Sequence, residues 1–135
     1  MKRIFLISML LLFGLMLAAC GSDGSSDEII MDEPVPAGAE DAMVVELEFT
    51  VDSIIPNEVT IPAGKEVLFV IYNSDTKPGD LNEDHNLVAP DIGMKEMIVV
   101  PGQTIRRLWT AYDVPGEYRV GCTINSCIDM KLIIE

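Results

Sequence analysis

The chain has 135 residues, with 22 acidic against nine basic side chains and a formal net charge of −13. That sign excludes nucleic acid as a partner, because phosphate binding needs basic residues. Three cysteines and a single histidine confine metal or thiol chemistry to a few named positions.

In chain order, Lys2 and Arg3 open a short positive segment, and "IFLISMLLLFGLML" follows as an unbroken apolar run. "LAAC" then places small residues directly before Cys20. This layout is that of a secretory signal over residues 1–19, and the cysteine at its end resembles a bacterial lipoprotein signal. The resemblance implies that Cys20 becomes the mature N-terminus and carries lipid. Acyl chains there would anchor the protein to a membrane, each buried CH₂ contributing ~0.8 kcal/mol. The remainder faces an oxidising compartment outside the cytoplasm, on the periplasmic or cell-surface side.

Residues 20–42 contain seven acids, no base and much Gly, Ser and Pro. Such a stretch buries too little apolar surface to offset its ordering entropy. It is expected to be a disordered tether with a reach on the order of 25 Å.

Residues 43–135 form one small domain, with 15 acidic against 7 basic residues. Its strand signals are dense. "MVVELEFTV", the runs around Pro62–Gly64 and around Pro101–Gly102, "GEYRVGC" and "DMKLIIE" are rich in β-branched and aromatic residues at period two. Pro and Gly fall between the runs, where turns need them. Strands at this spacing predict an all-β sandwich of about seven to eight strands. Leu68, Val70, Ile98, Val100, Ile105, Trp109, Tyr118, Val120, Leu132 and Ile134 are the expected core. "SDTKPGDLNED" reads as a loop that ends at the only histidine, His85.

The chemistry gathers at two places, His85–Asn86 and the run Cys122, Cys127, Met130. Sandwich strands let both meet at one end. Imidazole, thiolate and thioether are soft or borderline donors suited to copper. Met94 and Met97 could add thioethers there. Glu83 and Asp84 flank His85 and would favour its charged form. No Ser–His–Asp set or carboxylate pair appears, so the chain is not expected to be an enzyme. Cys122 and Cys127 are also natural disulfide partners in an oxidising compartment. A ring of about six residues closed this way stabilises by on the order of 2 kcal/mol.

Residues 44–135 resemble a cupredoxin domain, the Greek-key fold of plastocyanin and azurin. "TIPAGKEVLFVIYNSD", "HNLVAP", "DVPGEYRVGC" and "CTINSCIDMKLIIE" carry the resemblance. It implies that His85 and Cys122 are copper ligands, Met130 the weak axial ligand, and Asn86 a brace for the ligand loop. It also implies one-electron transfer with a redox protein partner by a monomeric domain. A blue-copper site has two histidines, and this chain has one. Cys127 stands where azurin-like spacing puts the second. Three readings follow. In one, His85, Cys122, Cys127 and Met130 bind copper for electron transfer or for holding Cu(I). In another, a Cys122–Cys127 disulfide closes the loop of a metal-free binding or structural module. In the last, both thiols stay free for redox or partner-linked chemistry.

Overall fold

In the computed structural model of the protein, residues 28–75, 84–124 and 129–135 are described. The signal-like segment, Cys20, Glu83 and Cys127 lie outside them. The strands are β1 (Met43–Phe49), β2 (Ile54–Ile55), β3 (Glu58–Ile61), β4 (Glu66–Asn73), β5 (His85–Ala89), β6 (Met94–Val99), β7 (Thr104–Thr110), β8 (Gly116–Gly121) and β9 (Asp129–Ile134). A 3-10 turn, Pro90–Ile92, joins β5 to β6.

They form two sheets, ordered β2-β1-β4-β7 and β3-β9-β8-β5-β6. The expected all-β sandwich is the observed one. The strand number exceeds the expected seven to eight because residues 54–61 divide between sheets. β2 pairs with β1, and β3 pairs with β9. Pro56, between them, has no N–H to give to a ladder.

Alternation sets the faces. In β1, Val45, Leu47 and Phe49 point inward while Val44 and Glu46 are exposed. β4 lies between β1 and β7 and buries five of its eight residues, so it reads as a nearly continuous apolar run. Phe69 packs against Trp109 with ring centroids 5.9 Å apart. Each fully buried large apolar side chain contributes about 1.5–3 kcal/mol.

Leu68, Ile105, Trp109, Val120, Leu132 and Ile134 are buried as expected. Val70, Val100 and Tyr118 are half-buried. Ile98 is 47 % exposed and does not belong to the core. Its neighbours Met97 and Val99 face inward, and the two-residue period turns Ile98 outward. Met94 and Met97 are core residues as well. Met94 lies opposite Ala89, at the far end of β5 from His85.

The strand ends position the site. β1 and β4 finish side by side at Phe49 and Asn73. His85 opens β5 opposite Val99, the last residue of β6. β8 ends at Gly121, opposite Asp129 at the start of β9. The Asn73 amide Nδ2 donates to the Val99 carbonyl at 3.1 Å and ties the two sheets at this end. Between β6 and β7, Pro101–Gly102 makes a tight turn. The Gln103 N–H donates to the Val100 carbonyl at 3.0 Å, with Gly102 at φ 76°, the type II pattern.

Residues 28–42 differ from the expected tether. Asp32 bridges Thr104 in parallel, and Ala39 is buried. Order reaches well before residue 43 because Arg106 and Arg107 on β7 offer this acidic stretch two fixed cations. Composition alone hid that complement.

Candidate metal centre

His85 and Cys122 meet inside the sandwich. His85 is 1 % exposed and Cys122 6 % exposed. The His85 Nδ1 lies 3.7 Å from the Cys122 Sγ. The register explains the approach. Val88 of β5 pairs with Gly121 of β8, so antiparallel continuation brings residues 85–87 alongside 122–124. Phe49, at the end of β1, stacks on the His85 ring at 5.2 Å with an 18° interplanar angle. It fixes the imidazole from the opposite sheet.

Asn86 braces the second segment. Its Oδ1 accepts from the Thr123 N–H at 2.7 Å and the Ile124 N–H at 3.4 Å. Its Nδ2 donates to Glu96 Oε1 at 2.6 Å and Thr123 Oγ1 at 2.8 Å. The Asn86 backbone N–H donates to the Cys122 sulfur at 3.4 Å.

Sequence reasoning missed Asp75. It sits two residues after Asn73, the end of β4, and is 5 % exposed. The Asn73 Oδ1 accepts its backbone N–H at 2.9 Å. Its Oδ2 stands 3.9 Å from the His85 Nε2, and its Oδ1 has no hydrogen-bond partner among the described residues. Nothing in the sequence distinguishes this aspartate from the loop acids beside it. Burial pushes the His85 pKa below its ordinary value, with Asp75 and Asp84 pulling against that. The expected upward pull of Asp84 is present, but desolvation outweighs it. A neutral imidazole is the form that ligates metal.

Met130 is 1 % exposed, near the start of β9. It pairs with Val120, two residues before Cys122. Cys122 is free among the described residues. The described part of the site thus unites His85, Asn86 and Cys122, with Met130 in the adjoining strand. Among the described residues no three His, Cys, Asp or Glu side chains gather as a metal cluster. An imidazole and a thiol 3.7 Å apart are a donor pair that would suit one soft ion.

A family model described as a cupredoxin-like domain matches residues 7–134. No curated protein matches the sequence. Among solved structures, a copper binding protein in its apo form is similar at 16 % identity and TM-score 0.55, over 79 % of this chain and 98 % of that one. Auracyanin from Roseiflexus castenholzii is similar at 15 % identity and TM-score 0.55, over 70 % and 98 %. The metal binding domain of the Cu(I) exporting ATPase CopA of Streptococcus pneumoniae D39, solved with Cu(I), is similar at 7 % identity and TM-score 0.56, over 79 % and 96 %.

Proposed function

The chain belongs to the family of cupredoxin-like domains, and on that footing we propose that it is a lipid-anchored, extracytoplasmic copper protein. Its ligands are His85 Nδ1, the Cys122 thiolate and the Met130 thioether, completed by Cys127. The observation that carries this reading is the buried 3.7 Å approach of His85 Nδ1 to Cys122 Sγ. A neutral imidazole facing a hydrogen-bonded cysteine away from water is a donor pair ready for a soft ion.

The donor set selects the oxidation state. One imidazole, two thiolates and one thioether favour Cu(I) over Cu(II). The protein therefore holds Cu(I) and releases it, or an electron, to a partner. Copper bound there would supply a one-electron Cu(II)/Cu(I) couple. Asn86 keeps residues 123 and 124 in place, and Phe49 keeps the His85 ring in plane. Both reduce the rearrangement needed when a metal enters or changes charge.

The test is anaerobic titration of the reduced, mature protein with Cu(I) against a coloured chelator. One equivalent is expected to bind tightly, and His85→Ala and Cys122→Ser, which remove ligands, each to weaken it by at least the roughly 10–100-fold typical of losing a group that merely supports a ligand. Copper uptake indifferent to both substitutions would sink the proposal.

A further inference from the structure

The N-terminal strap docks at the metal end of the sandwich. The Thr104 N–H donates to the Met31 carbonyl at 2.7 Å, and the Glu33 N–H donates to the Thr104 carbonyl at 3.0 Å. Gln103 Nε2 donates to the Ile30 carbonyl at 2.8 Å. Arg106 binds Asp32 at 2.5 Å and the Glu33 carbonyl, and Arg107 grips the Glu33 carboxylate through both terminal nitrogens. The turn beneath is the one that touches the site. Gly102 N–H donates to the Asn73 carbonyl at 2.8 Å, and Asn73 holds Val99, the residue opposite His85.

This docking reverses the polarity that β1 alone would impose. Met43 pairs with Val67 near the start of β4, and Glu66 pairs with Thr110 at the end of β7. Met43 therefore lies at the end away from His85. A chain running free to Met43 would leave the domain there. A chain clamped at residues 30–33 leaves it beside the metal centre.

We propose that the strap turns the metal end of the domain toward the anchoring membrane, which rests on the lipid anchor at Cys20 proposed above. Cys20 and Ile30 are ten peptide steps apart, which span at most about 35 Å in any conformation. Passing an eight-residue strand, itself about 27 Å long, would stretch that tether to most of its full length, so the end that holds the docked strap is favoured as the nearer one. The side chains of Ile29, Ile30, Val51 and Ile124 at this end are 56, 57, 57 and 39 % exposed. A partner then reaches the site only in the layer between domain and membrane, which selects a protein embedded in that membrane over one diffusing beyond it.

Orientation is measured on the full, lipid-modified protein in lipid nanodiscs doped with a gadolinium-chelating lipid. Paramagnetic broadening of amide signals is expected to be several-fold stronger at Val51, Gly102 and Ile124 than at Gly64 and Asp113. Arg106→Glu with Arg107→Glu is expected to erase that bias. Equal broadening at both ends of the wild-type protein, or stronger broadening at Gly64, overturns the orientation whether or not the double variant folds. Mass analysis separates the two proposals: lipid on Cys20 with the wrong bias refutes only the orientation, and an unlipidated Cys20 refutes the anchor and the orientation together. Neither outcome bears on copper binding.

Discussion

Replacing Asn86 with alanine tests whether the brace between β5 and the cysteine segment governs the domain's stability. The side chain is fully buried and makes four hydrogen bonds. The bond to the Glu96 carboxylate is of the charged class, worth about 1.5–3 kcal/mol, and each neutral one roughly 1 kcal/mol. Local relaxation and water entry recover part of that sum. We therefore expect Asn86→Ala to cost about 3 kcal/mol, a large share of the roughly 5–14 kcal/mol available to a domain of this size. Thermal unfolding followed by circular dichroism should show Tm falling by about 12–24 °C. Asn86→Asp keeps the two accepted bonds, loses the two donated ones and sets a second carboxylate against Glu96. It should be destabilised too, and less so in acid. A loss below about 1 kcal/mol for the alanine variant would show that residues 122–124 are held by something other than Asn86.

Other substitutions separate packing from ligation. Phe49→Ala removes a 1 % exposed ring stacked on His85. It should cost about 3–5 kcal/mol in urea unfolding and weaken Cu(I) binding in chelator competition; unchanged stability would contradict the packing. Met130→Leu conserves volume, so the metal-free protein should lose less than about 1.5 kcal/mol while Cu(I) affinity falls. Equal affinity would remove Met130 from the ligand set. The Arg107 hydrogen bond holds the Glu33 carboxyl below the usual carboxylate range. Its contribution is complete above the unfolded value of about 4.3 and is lost as pH falls through the lower folded value. Glu33→Gln should therefore be less stable than wild type at neutral pH, with the gap closing in strong acid. A pH-independent gap would refute the ion-pair reading.

Much of the sandwich was legible because its signals are local. Period-two apolar runs and Pro–Gly turns mark strands such as β1 and the β6–β7 turn without tertiary help. Ile98 misled because β-propensity does not say which face a residue takes; that is settled by Met97 and Val99, which fill the core. His85, Asn86 and Cys122 were legible through motif resemblance, and the geometry brings them together. Asp75 was not, because its burial depends on the ends of β4 and β5 folding over it. The strap was hidden by its acidic composition. The adjacent Arg106–Arg107 pair and the apolar Ile29, Ile30 and Met31 within that acidic stretch are the signals that could have pointed to it.

The central claim is that His85 and Cys122 share one metal ion. X-ray absorption at the copper edge, on reduced mature protein carrying one equivalent of Cu(I), tests it most directly. The account predicts sulfur scatterers together with a single imidazole, and loss of the imidazole signal in His85→Ala. A copper-free protein with a Cys122–Cys127 disulfide, or copper bound without sulfur, would contradict it.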